Sequence, residues 1–203
     1  MAILKGTTEI DGAQQYIKTT KNGELVTTDI ARMWTAKGYG RQAMSTAAVA
    51  CVIVRPTTTA IASLYNTGQN NLVIERVFAH NLVSIANGQF SIWLCVHPKG
   101  TIVAAYANDI TARAATSGNA VTDDAYWDIE DTVVDAGWFP WGVSGTTVTA
   151  TVPGTVVEAD IRGRIVIPPT AGLSISCVGQ TAVVTVCVGA HWFSVPQSEF
   201  PVV

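Results

Sequence analysis

The stretch SLYNTGQNNLVIERVFAH, from Ser63 to His80, decides how the chain is read. It holds an apolar run, a polar turn rich in Asn and Gly, and a second apolar run within eighteen residues. Asn and Gly tolerate the backbone angles of tight turns. The flanking runs are too short for helices and suit strands. The spacing predicts a β-hairpin with a loop of about five residues. Glu75 and Arg76 interrupt the second run. Neighbouring side chains on a strand point to opposite faces, so one of the two is expected to meet a charge on another strand or subunit.

Composition extends this reading outward. Valine and threonine make up about a quarter of the 203 residues, against seven leucines. β-Branched side chains lose rotamer freedom in helices and fit a pleated surface. VACVIV (49–54) and AIASLY (60–65) precede the quoted hairpin. In QFSIWLCVH, Phe90, Ile92, Leu94 and Val96 share one face. TTVTATV (146–152) alternates, with Val148, Ala150 and Val152 on one side. GRIVIPPTAGLSISCV breaks at Pro168-Pro169, and its second strand is expected to form a hairpin with 182–188 through Gly179–Thr181. Val184, Val186, Val188 and Trp192 then share a face. About eight strands without a long helix predict an all-β chain, an antiparallel sandwich or barrel, and of these the antiparallel β-sandwich is expected.

Residues 1–45 are polar and aperiodic, and are expected to form an extended N-terminal arm on a body spanning 46–203. Residues 107–142 form an irregular insertion in that body. Long irregular insertions commonly carry function or contact a partner. Charged residues are only 13% of the chain, against about 25% in ordinary soluble domains. So little charge predicts apolar surface buried between subunits, hence a homo-oligomer. Residues 1–55 carry seven Lys/Arg against four Asp/Glu, too thin an excess to predict nucleic-acid binding. MAILKGTTEI lacks the apolar core of a secretory leader, and no apolar run reaches the roughly 18 residues of a membrane span.

Catalytic patterns are weak. GYGRQA (38–43) matches a dinucleotide loop but follows no strand and opens no helix. Cys95 with His97, and Cys187 with His191, each share a strand face, yet no Cys-x-x-Cys is present. Register in the expected hairpin sets Cys177 opposite Val183 rather than Cys187, so four free thiols are expected. GVSG (142–145) falls one residue short of a nucleophile elbow. No catalytic residue, cofactor or metal is therefore expected. The densest charge, Asp123, Asp124, Asp128, Glu130, Asp131 and Asp135, is interleaved with Tyr126, Trp127, Trp138, Phe139 and Trp141. These aromatics suit a subunit contact or a sugar platform. A bare loop, and carboxylate catalysis or calcium binding, stay open beside them.

Three stretches together resemble jelly-roll virion proteins of tailed bacteriophages: SLYNTGQNNLVIERV, RIVIPPTAGLSISCVGQTAVVTVCVG and HWFSVP. The resemblance spans roughly residues 44–196, and Phe193 departs from the acidic residue usual after the closing Trp. It implies a jelly-roll and a non-enzymatic capsid decoration, head or accessory protein. Such a protein is made in the host cytoplasm and built into the virion as a homo-oligomer, with a trimer the form the resemblance suggests. Its partners would be copies of itself and other virion proteins such as the major capsid protein. The rival expectation is a glycan- or receptor-binding module of a phage tail.

Overall fold

The computed structural model describes residues 5–7, 14–16, 29–83, 88–100, 110–121, 125–129, 137–141, 145–146 and 156–200. The chain divides into two units, Met1–Met33 and Trp34–Val203. In the first, β1 (Lys5–Thr7) and β2 (Gln14–Tyr16) pair antiparallel. The short helix α1 (Ile30–Ala36) crosses the division. Asp29 caps it by accepting a hydrogen bond from the Ala31 N–H (2.9 Å), and Gly38, at φ +82°, ends it. The dinucleotide-like GYGRQA thus runs from helix to strand, the reverse of what that motif needs.

The second unit is a sandwich of two antiparallel sheets. Sheet I runs β10 (Tyr126–Ile129), β5 (Ala62–Tyr65), β14 (Gly172–Gly179), β7 (Gln89–His97), with β11 (Phe139–Pro140) and β12 (Gly145–Thr146) sharing the far edge. Sheet II runs β13 (Val156–Ile167), β6 (Asn71–Val83), β15 (Thr185–Val195), β3 (Gly40–Met44), β8 (Ala112–Ala114), β9 (Ala120–Val121), with β4 (Val49–Ala50) also on β15. With β4 and the excursion β8–β10 set aside, the successive strands β3, β5, β6 and β7 lie in alternate sheets. The pair β7 and β11/β12 shares sheet I. From there through β13 and β14 to β15 the chain again changes sheet at every step. That order is a jelly roll.

Two expected hairpins are overturned by this order. The runs on either side of Asn66–Asn70 are β5 of sheet I and β6 of sheet II, and those on either side of Gly179–Thr181 are β14 and β15, again in opposite sheets. Each turn is a crossover, because each flanking strand finds its ladder with strands distant in sequence. Asn66 shows how the first crossover is held. Its side-chain amide donates to the carbonyls of Asn70 (2.8 Å) and Ile167 (2.8 Å), and its oxygen accepts from the Gly68 N–H (3.0 Å). Ile167 ends β13, just before the Pro168–Ala171 turn to β14. One buried amide therefore ties together two crossovers at the same end.

Alternation fills the space between the sheets. Phe90, Ile92 and Leu94, and Leu173, Ile175 and Cys177, face Leu72, Ile74, Val77 and Ala79, and Val184, Val186, Val188 and Trp192. Trp127 of β10 meets Trp192 of β15 across the gap, centroids 5.8 Å apart. Burying each large apolar side chain is worth about 1.5–3 kcal/mol. Val96, expected on the same face, is exposed one residue before the end of β7. Of the alternating run 146–152, only Thr146 lies within the described residues.

Two further features differ from expectation. The second unit takes in residues 34–45, expected in the arm. Trp34 packs on Phe193 (5.5 Å) and Phe200 (5.8 Å), and β3 pairs with β15 from Gly40 to Met44, so 34–44 belong to the body. Lys37 and Tyr39 hold Glu199 at 2.6 and 2.8 Å, keeping its carboxyl below its usual titration range and fastening the turn after β15. Glu75 and Arg76 do not part to opposite faces. A register shift falls between Ile74 and Arg76, so both lie between the core residues Ile74 and Val77 without entering the core. Arg76 does meet a charge on another strand, Glu158 at 3.0 Å.

Replacing Asn66 by Ala leaves the buried Ile167 carbonyl without that donor, and an orphaned buried polar group costs about 1–3 kcal/mol. We expect Asn66→Ala to lower the urea midpoint of the body accordingly. An unchanged midpoint would show that the amide does not brace the crossovers.

Candidate binding groove

The aromatic residues singled out in the insertion are not brought together. Tyr126 and Trp127 lie on β10, at one edge of sheet I. Trp138, Phe139 and Trp141 lie at the other, beside β7. Trp127 is core, and Trp138 is buried against Cys95 and Ala60. Trp141 is half-buried, with the Arg164 guanidinium 5.3 Å from its ring centre. Tyr126 and Phe139 are exposed, at opposite edges. Of the acidic cluster, Asp123, Asp124, Glu130, Asp131 and Asp135 lie outside the described residues. Asp128 accepts a bond from the Ile129 N–H (3.0 Å). One surface carrying all five aromatics is therefore not formed within the chain.

The thiol–imidazole pairs also separate. Cys95 and His97 lie on sheet I, whereas Cys187 and His191 lie on sheet II. Both pairs alternate with core residues and so face away from the sandwich interior. The His97 Nε2 is 2.7 Å from the Ser174 hydroxyl, which is 2.9 Å from that of Ser63. The Cys95 sulfur lies 4.0 Å from the other ring nitrogen. All four side chains are buried, so this serine–imidazole contact is closed to substrate. The four cysteines are free. Cys51 and Cys177 contact each other, and that contact, with burial, pushes the Cys177 thiol up. Among the described residues no three metal-ligating side chains gather, and no helix is long and apolar enough to cross a membrane.

A concavity instead opens on the outer face of sheet II. Pairing sets Asp160, Arg76, His191, Gln42 and Arg113 in one row across β13, β6, β15, β3 and β8. The next row is Glu158, Phe78, Gly189 and Met44. Gly189 is what lets the rows close up. A Cβ there would stand 2.5 Å from both the Phe78 ring and the Ala43 carbonyl. Without one, Phe78 lies over β15, 5.6 Å from the His191 ring. The resulting groove, about 430 Å³, takes Phe78 and His191 from one side, Gln42 and Met44 from β3, and Thr111 and Arg113 from the other side. Ala43 and Thr46 complete its described lining.

Among the described residues no carboxylate lines the groove. The nearest ones on its rows are engaged, Glu158 with Arg76 and Asp160 with Arg162. Burial holds the His191 imidazole below its usual range, the Arg76 charge adds to this, and Glu158 opposes it. His191 is neutral at pH 7. One Arg113 N–H goes to the Gly118 carbonyl (3.0 Å), bracing a guanidinium that borders the groove. In the sequence His191 stands out only beside Cys187 and at the head of HWFSVP. The signal it lacked was long-range register, which alone sets Gln42, Phe78, Arg113 and His191 side by side.

No protein-family model matches the chain, and no curated protein matches it.

His191 gives stability a definite pH dependence. Its folded pKa lies below the ordinary 6.5, so between the two values the unfolded chain binds more protons than the native one. Stability is expected to fall as pH drops below about 6.5, modestly because the ring is half-buried. Urea midpoints at pH 7.5 and 5.0 should differ less in His191→Gln than in the wild type. An equal loss in both would assign the acid sensitivity elsewhere.

Proposed function

We propose that this chain is a non-enzymatic structural component of a virus particle, a jelly-roll subunit that assembles with copies of itself and with other virion proteins. The observation that carries this is the strand order. Jelly rolls recur in viral capsid domains, lectin domains and cupins. The three histidines favour the first two: each alternates with core positions, on the outer side of its sheet, and the interior is apolar where a cupin places its ligands. The resemblance of the Ser63–Val77, Arg164–Gly189 and His191–Pro196 stretches to bacteriophage virion proteins supports the capsid side.

The contact surface we assign is the end of the sandwich where β14 crosses to β15, the end away from the Asn66 turn, rather than the aromatic insertion. Val52 bridges Val178 there, and the Cys51 N–H donates to the Val184 carbonyl. Those bonds bring Ile53 and Val54 to the end that carries Val183. The three are 62%, 67% and 53% exposed. Soluble monomers seldom leave such residues grouped without a purpose, and few charges are present to offset them. A glycan-binding module built on the insertion has less support, because its aromatics divide between two edges.

Light scattering of the purified chain at tens of micromolar should give a closed oligomer, a trimer being the form we propose. Ile53→Asp with Val54→Asp should shift it to smaller species while the far-UV circular dichroism stays β-type. A monomeric wild type would overturn self-assembly. A variant that assembles normally would move the contact away from this end.

A further inference from the structure

We propose that the groove on sheet II is a binding site for an acidic saccharide, a hydroxyl-rich ring carrying one carboxylate such as a uronic acid. This goes beyond assembly and does not depend on it, since the groove and the β14–β15 end share no residue. The size is suitable: about 430 Å³ lies within the roughly 300–1,000 Å³ of small-molecule sites.

The chemistry of the lining selects the ligand. Gln42 offers a donor and an acceptor, Thr46 and Thr111 offer hydroxyls that do either, and neutral His191 offers one of each. Neutral groups of mixed polarity match vicinal hydroxyls, which both give and receive hydrogen bonds. Phe78 and Met44 add an apolar flank for the C–H side of a sugar ring. Among the described lining residues Arg113 is the one permanent cation, and none of them is a carboxylate. A guanidinium recognises a carboxylate through two parallel hydrogen bonds. The set thus matches a ligand with several hydroxyls, one apolar side and one negative charge. A phosphate-rich ligand fits less well. Arg76 and Arg162, on neighbouring strands, are engaged by Glu158 and Asp160. Gly189 is the positioning element: any side chain there displaces Phe78 from the apolar flank.

The test is a titration of the full chain, followed by amide shifts in NMR, with three probes. These are a glucuronate-containing disaccharide, its analogue with the carboxyl reduced to an alcohol, and inorganic phosphate. We expect saturable shifts at Gln42, Met44 and His191 with the acidic sugar in the millimolar range or tighter, and binding weaker by about tenfold or more for the neutral analogue. Arg113→Gln, an exposed change that leaves the fold intact, should abolish the difference between the two sugars. Absence of saturable shifts with the acidic sugar overturns the proposal. So does phosphate binding as tightly as the acidic sugar, which would mark a general anion site, and so does an acidic preference that survives Arg113→Gln. A polysaccharide containing the same uronate should compete for these shifts; competition at other residues only would also contradict the assignment.

Discussion

The whole architecture hangs on β15. Its backbone pairs with β6 on one side and with β3 and β4 on the other. From Val186 to Val195 every side chain except His191 is buried. A strand sheltered this fully satisfies its peptide groups only through its ladders, because an unpaired buried N–H or C=O costs as much as a lost hydrogen bond. Register along β15 is therefore rigidly set. That register places Trp192 against Trp127 inside the sandwich, and Gly189 and His191 beneath and beside Phe78 outside it. Core and groove are two faces of one strand.

How much of this the sequence reveals depends on the range of the interaction. Strand periodicity is local, so the alternations 90–94 and 184–192 emerge in the core as expected. Pairing is not local. SLYNTGQNNLV carries the residues of a hairpin turn, yet its halves enter opposite sheets, because β5 finds β14 and β10 while β6 finds β13 and β15. The same error of range affects the aromatics. Tyr126 to Trp141 sit close in sequence, and β10 and β11 separate them by three intervening strands. The groove shows the converse, since Gln42, Phe78, Arg113 and His191 are scattered over 150 residues and meet only through register. Tryptophan is also ambiguous by nature. Its large apolar area serves a core as well as an interface, and Trp127 and Trp138 are used within the chain.

The two surfaces we assign differ in chemistry, as their tasks require. The end where β14 crosses to β15 offers exposed branched aliphatic side chains, suited to burial against a like surface. The groove offers neutral hydrogen-bonding groups around one guanidinium, which would be costly to bury against an apolar partner. A subunit can therefore use one for assembly and keep the other open to ligand. The sparse charge of the chain gives both surfaces little competition from salt-bridged polar cover.

The central claim is the crossing order of the strands, and backbone NOEs of the isotope-labelled chain test it most directly. The account predicts cross-strand contacts between Gly189 and Phe78, between Ala190 and Ala43, and between Ser176 and Trp93. It predicts none pairing Cys177 with Val183, the contact a β14–β15 hairpin requires. Observation of that hairpin pairing, with loss of the Gly189–Phe78 contact, would contradict the jelly roll and remove both the groove and the β14–β15 end built upon it.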